Sequence, residues 1–319
     1  MIDLFSRLNW TQTFGAMRHR NFRIFFVGQL ISVIGIWMQS TALQWLVYNL
    51  TGSQASLGLV TFIGFLPVLL FSLFMGVITD QFPRRRILLF TQSWFMLLAG
   101  LLALLVMQLP LNPRQASRAH PVETIKDGFR YIAGERDILG LEVMVAGFSY
   151  VGFGVLTLVP VFAKDILQIG AEGFGSLLSW QGIGALTGAL LLVLFGERIQ
   201  KGRLLLWSRL MLGPALVGLA LSRTPGLSMA LMAALGFSLI TQLVLTNTLI
   251  QMIAPDDLRG RVLSAYTWAL GGFYPLGSLL MGFLGDQIGA PTATVLSGIG
   301  CILLVGANLA VFPSMQKLS

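Results

Sequence analysis

Residues 56–86 read SLGLVTFIGFLPVLLFSLFMGVITDQFPRRR. From Ser56 to Thr79 there is no charged side chain; Asp80 follows, and then Arg84, Arg85 and Arg86. An α-helix rises about 1.5 Å per residue, so about 20 apolar residues cover the hydrocarbon core of a bilayer. The stretch is long enough to cross, and it stops where basic residues anchor at a headgroup surface.

Working outward, the rest of the 319 residues has the same character. The chain is 55 % hydrophobic and only 11 % charged, with a mean hydropathy of +0.79. Soluble domains carry about 25 % charged residues, so a solvent-exposed globular fold is excluded. The 36 glycines suit close helix packing in a membrane. Cys301 is the single cysteine, which excludes disulfides, CxxC redox motifs and cysteine-ligated zinc. His19 and His120 stand in charged stretches far from a second ligand, so neither a metal nor a cofactor is expected. The net charge of +8 does not point to nucleic acid as a partner, because the basic residues are dispersed between apolar spans. The partners expected are the lipid bilayer and a small molecule; the sequence does not fix an oligomeric state. The N-terminus does not read as a cleavable signal, since its apolar run continues for a full span.

Nine spans follow from the length rule: Arg23–Tyr48, Ser56–Thr79, Ile87–Leu109, Ile138–Phe162, Phe174–Phe195, Leu204–Leu221, Leu227–Ile253, Val262–Leu284 and Thr292–Phe312. All Lys and Arg residues except Lys164 and Arg223 fall in one set of loops and ends, which the positive-inside rule makes cytoplasmic, the N-terminus included. The expected location is therefore a cell (inner) membrane, crossed many times. One conflict results. The loop at Arg84–Arg86 and the loop at 109–137 both read as cytoplasmic, yet only the segment from Ile87 to Pro110 separates them. A helix of that length measures about 36 Å, enough for one crossing and far short of two. Three explanations are open: the segment does not span, one flank breaks the charge rule, or an odd number of helices is missing. The last is preferred.

The expected organisation is a three-helix N-terminal part (1–110), a cytoplasmic linker (111–137) and a six-helix C-terminal bundle (138–319). In the linker, Val122, Ile125, Phe129 and Ile132 recur at helical spacing, with Glu123, Lys126, Asp127 and Arg130 on the other side. That pattern predicts an amphipathic helix lying along the membrane surface.

The motif Gly76…Asp80-Gln81-Phe82-Pro83-Arg84-Arg85 resembles the signature loop of the major facilitator superfamily between its second and third helices. Gly76, Asp80, Arg84 and Arg85 match, whereas Gln81 and Pro83 replace the usual Arg and Gly. The resemblance implies a gating charge cluster that latches two halves on the cytoplasmic side; taken alone, the residues serve equally as membrane anchors after a helix-ending acid. Gly282…Asp286-Gln287 echoes the motif on the opposite face, as inverted repeats do. The stretches NFRIFFVGQLISVIGIWMQSTALQWLVYNLTGS, HPVETIKDGFRYI and APDDLRGRVLSAY resemble the exporter branch that includes enterobactin-exporter-like proteins, or transmembrane secretion effectors. That family has twelve helices. Leu104–Pro110 is similar to the end of its sixth helix joined onto its third, so the resemblance implies an internal loss of about three crossings, as the charge conflict requires.

The resemblance further implies a central cavity lined by the first, fourth and seventh spans. Gly28, Ser32, Gly35 and Gln39 share one face of the first span, and Ser32 and Gln39 are candidate substrate contacts. Tyr150, Gln181, Gln242 and Asn247 are the others, suited to an amphipathic, partly aromatic molecule. The same small and polar residues also serve as glue between helices. Glu142 is the one acid inside the hydrocarbon edge and the candidate proton carrier, unless Arg136 or Arg209 pairs with it. Gly184 and Gly188 form a GxxxG packing pattern. No catalytic constellation or phosphate-binding loop is present, so an enzyme is not expected. The expected protein is an all-α integral membrane bundle of the major facilitator type. It would export small amphipathic molecules, of the drug or siderophore class, by alternating access with proton antiport. The alternative is a truncated, transport-incompetent membrane protein or interaction module.

Overall fold

The computed structural model describes residues 20–81, 129–196, 200–255 and 258–312, the side chains of 20–22, 24, 25 and 73–81 excepted. Every regular element described is a helix. They are α1 (Arg20–Thr51), α2 (Gln54–Gln81), α3 (Arg136–Val151), α4 (Gly170–Phe195), α5 (Lys201–Leu221), α6 (Pro225–Ile253), α7 (Arg259–Ile288) and α8 (Ala290–Val311). Past Val151 the α3 helix does not stop. It winds as a tight 3-10 helix over Phe153–Leu158, returns to α over Val159–Val161, and widens to a π turn over Phe162–Ile166.

Eight stretches are long and apolar enough to cross a membrane, and they correspond to eight of the nine spans read from the sequence. The ninth, Ile87–Leu109, lies outside the described residues, as does most of the amphipathic stretch 121–132. Its described end is helical over 129–134 and docks one residue into the bundle. Ile132 is buried with Ile138 and Leu249, and the Phe129 ring meets Trp268 edge-on at 6.2 Å. An apolar face that finds a helical groove need not lie against lipid.

The chain divides into two compact units. One comprises 1–42 and 77–119. Its described part is α1 up to residue 42, whose side chains from Phe26 to Ser40 are all exposed, and the last turn of α2. The other comprises 43–76 and 120–319. In it α4 packs on α6, α5 on α6 and α8, α7 on α3 and its 3-10 extension, and α8 on α3. Exchanging the triplet α3-α4-α5 with α6-α7-α8 turns the α3–α7 contact into the α6–α4 contact and α5–α6 into α8–α3, while α5–α8 maps onto itself. Since a triplet is an odd number of crossings, the two halves of this pattern are inverted copies.

The seams are built from glycine. A Cβ at Gly184 would stand 1.8 Å from the Ala233 carbonyl oxygen, and one at Gly236 would stand 1.9 Å from that of Gln181, so α4 and α6 meet backbone to backbone. Gly154 and Gly277 play the same part between the 3-10 segment and α7.

Segment 43–76 joins this unit through α7, to which α2 runs antiparallel. Gly58 lies against Ser278 and Gly282, Phe65 against Tyr274, Val68 against Gly271, and Leu69 against Trp268 and Gly272. The helix start is capped from across the seam: Asp286 accepts hydrogen bonds from the Ser53 hydroxyl (2.7 Å), the Gln54 amide (2.6 Å) and the Ala55 amide (3.0 Å). The first amides of a helix have no partner within it, and a carboxylate also suits the positive end of the helix dipole. Gly289, at φ 82°, makes the turn into α8, which runs antiparallel to α3; Asn308 donates to the Gly140 carbonyl and Leu304 covers Gly147. Residue 76 of α2 and Arg136 of α3 therefore point toward the same end of the unit. The even number of crossings that this demands between them is the conflict seen in the charge pattern.

Candidate functional site

Buried polar side chains occur on α3, α5, α6, α7 and α8, and among the described residues Glu142 is the one acid in that set, at the seam where α3, α6 and α7 meet. Ile138, Leu141 and Val145 of α3 pack there with Leu245 and Leu249 of α6 and Val262, Ala265 and Tyr266 of α7. Glu142 sits on this face, 7 % exposed, and neither of its carboxyl oxygens has a hydrogen-bond partner. Tyr266 lies within its electrostatic reach and spends its own hydroxyl on the Leu243 carbonyl at 3.1 Å. Gln242 is 5 % exposed and its side-chain amide nitrogen is unpartnered. A buried polar group without a partner is costly in apolar surroundings, so Glu142 and Gln242 mark places where packing has not been optimised for stability alone.

Arg209 is not the partner of Glu142. Its guanidinium, 5 % exposed, donates to the Thr246 hydroxyl at 3.4 Å and leaves Nε unpartnered. It lines a narrow cleft between α3, α5 and α8 together with Asn308. In sequence Arg209 stands only eight residues beyond Lys201 and reads as an interfacial anchor, so nothing in the string separates it from the loop cations.

The other sequence candidates are placed singly. Tyr150 is half-buried, with its backbone carbonyl against Gly277, and Gln181 is half-buried with its carbonyl against Gly236. Asn247 is half-buried and accepts a hydrogen bond from the Gln251 side chain at 2.5 Å. Ser32 and Gln39 are exposed on α1, and the glycines of the same stripe, Gly28 and Gly35, have no neighbour within 4 Å of where a Cβ would stand. Of the gating motif, Gly76 and Asp80 lie in helical backbone, their side-chain surroundings outside the description; Arg84 and Arg85 lie outside the described residues. Among the described residues no group of three His, Cys, Asp or Glu side chains is placed to hold a metal ion.

Two acids that the sequence left without a role, Asp286 and Asp165, sit at the opposite rim from the basic loops. Besides Asp286, Asp165 of the π turn accepts a hydrogen bond from the Tyr48 hydroxyl. Its neighbour Lys164 donates to the Asn49 side chain at 3.1 Å and lies over the Tyr48 ring. The echo of Asp80-Gln81 in Asp286-Gln287 was the available signal.

Comparison with known proteins places this architecture. The sequence profile of the transmembrane secretion effectors matches residues 11–114 and 98–318, two pieces that overlap at 98–114. The chain belongs to this family of the major facilitator superfamily and is a multi-pass membrane transporter. It is similar to the staphyloferrin A transporter of Staphylococcus aureus (strain NCTC 8325 / PS 47). Identity is 22 % over 384 residues, covering 89 % of this chain and 94 % of that one. Among solved structures it is similar to a bacterial homolog of the human lysosomal transporter Spinster, in an inward-facing, unoccupied conformation. That match has 13 % identity and a TM-score of 0.44, covering 76 % of this chain and 68 % of that one.

Proposed function

We propose that the chain is a secondary active exporter of small amphipathic molecules, of the drug or siderophore class, working by alternating access with proton antiport. The observation that carries the coupling is Glu142: a carboxyl buried inside a membrane span, with no hydrogen-bond partner, on the seam of three helices. Ionisable groups at such depth are rare and mark proton or ion pathways. Tyr150, Gln181, Gln242 and Asn247 serve as substrate contacts on the C-terminal helices, and Ser32 and Gln39 on α1. Gly76, Asp80, Arg84 and Arg85 form the latch on the basic face. The similarity to a siderophore transporter supports the substrate class.

The test is flux in proteoliposomes. With an imposed pH gradient, staphyloferrin A or ethidium should accumulate on one side, and Glu142→Gln should abolish accumulation while leaving downhill exchange. Flux that ignores the gradient removes the antiport reading.

A second reading, a shortened chain that does not transport, has its own support. The alignment to the staphyloferrin A transporter is 384 residues long against 319 in this chain, so it contains a gap here of at least the difference. The overlap of the two profile matches at 98–114 also coincides with the join read at Leu104–Pro110. Absence of any flux, with the protein monodisperse, favours this reading.

A further inference from the structure

We propose that Asp286, closing on Ser53 and the first turn of α2, is a latch for the face opposite the basic loops, and that this face opens by its release. The proposal rests on the alternating-access reading for its purpose, but its geometry stands by itself. The α2–α7 seam differs between its two ends. Toward the basic face it is held by rings: Phe65 meets Tyr274 edge-on at 5.1 Å, and the Trp268 indole donates to the Leu69 carbonyl at 3.2 Å. Toward the other face the two backbones meet over glycines, with the Gln54 side chain laid on Gly285 and Leu57 buried beside them. A Cβ at Gly58 would lie 2.6 Å from the Ser278 carbonyl oxygen, and one at Gly282 would lie 2.6 Å from that of Gln54. Parting the helices there exposes glycine backbone and the small number of side chains packed over it, without the ring contacts that hold the other end.

The polar tie between α2 and α7 at that end is one carboxylate accepting from a hydroxyl and two amides. Asp286 is exposed, so water can take over its bonds when the helices separate, and the closure is reversible rather than permanent. The neighbouring pair repeats the device. Tyr48 and Asn49, at the end of α1, are held by Asp165 and Lys164 from the π turn that follows α3. Both ties grip the α1–α2 turn, Gly52 at φ 64° between them, from two different helices. The ordinary cap is already supplied by the helix's own preceding residue, since the Ser53 hydroxyl accepts from the Ser56 amide at 3.2 Å; Asp286 adds a second tie from 232 positions away.

Accessibility tests the latch without requiring transport. Leu57, 1 % exposed and one turn below the cap, is replaced by cysteine in a Cys301→Ala background of the full chain. A membrane-impermeant maleimide is then applied. Labelling should be slow in the parent and rise about fivefold with Asp286→Asn, the change expected from loss of one helix cap. It should rise less with Ser53→Ala and stay near the parent rate with Asp286→Glu. Equal labelling in all four chains overturns the latch, and so does a rise from the basic face alone. Should Asp286→Asn aggregate on size exclusion, the Ser53→Ala and Asp286→Glu chains decide by the same comparison. In proteoliposomes, a Ser53→Cys/Asp286→Cys disulfide should stop flux until reductant is added. If the reduced chain also shows no flux, the transporter reading fails while the labelling result still judges the latch.

Discussion

A carboxyl with nothing to bond, 7 % exposed, is the least comfortable residue of the C-terminal helices. Glu142 lies among Leu141, Val145 and Tyr266, and replacing it with methionine fills the same volume without a polar atom. Glu142→Met should therefore raise the thermal midpoint of the detergent-solubilised protein, by an amount worth about 1–3 kcal/mol, while removing gradient-driven flux. Arg209 predicts the reverse. Thr246→Val takes away the hydroxyl that receives its guanidinium and leaves a buried cation with less satisfaction. A loss of about 1–3 kcal/mol, read from the same melting curves, is expected. These two residues also show why single positions were only partly legible. A lone Glu within an apolar span announces itself in the sequence, and its burial followed. An Arg near a helix start has the same appearance whether it reaches water or turns inward, because only the packing of α5 against α6 and α8 decides between them.

At the scale of the element, glycine spacing was the more faithful signal. The pattern Gly184…Gly188 suggested close approach, and α6 lies there at backbone distance. Gly184→Ala must push α4 and α6 apart and should destabilise by at least about 1–3 kcal/mol, the usual cost of overpacking. Gly182, two residues earlier, has nothing within 4 Å of where its Cβ would be. Gly182→Ala in mid-helix should stabilise by about 0.5–1 kcal/mol. A thermal-shift comparison of the two alanines separates seam from surface. The span ending at Ile166 was less readable. A periodicity of 3.6 assumes one kind of winding, but residues 153–166 pass through 3-10, α and π turns, so the side-chain faces drift from those expected. That drift is how Asp165 comes to meet Tyr48, a pairing no spacing rule anticipates. Likewise, the linker helix reads as amphipathic from its pattern, yet pattern cannot say whether lipid or the bundle covers the apolar side; at the described end Ile132 is buried in the bundle.

For the molecule as a whole, the charge distribution carried most of the topology. The sorted Lys and Arg residues gave a direction to each span, and the antiparallel pairings of α2 with α7 and α3 with α8 agree with it inside the larger unit. They also reproduce the parity conflict, so a cysteine at Gln115 and one at Gln200 should be modified from the same side, with one at Ser53 modified from the other. Differential labelling of intact cells against inverted vesicles checks this, and Gln115 siding with Ser53 would break the reading. What the charges could not supply is the identity of contacts across a seam, since Asp286 reaches Ser53 only through folding. The antiparallel fit of α2 on α7 has a practical corollary. Residues 43–76 belong to the same compact unit as everything after 120, although a long stretch of chain runs between them. Contacts within the unit are therefore expected to hold it together without covalent continuity through that stretch. A gene split after Asn112 and expressed as two polypeptides should yield fragments that co-purify on a tag carried by either one.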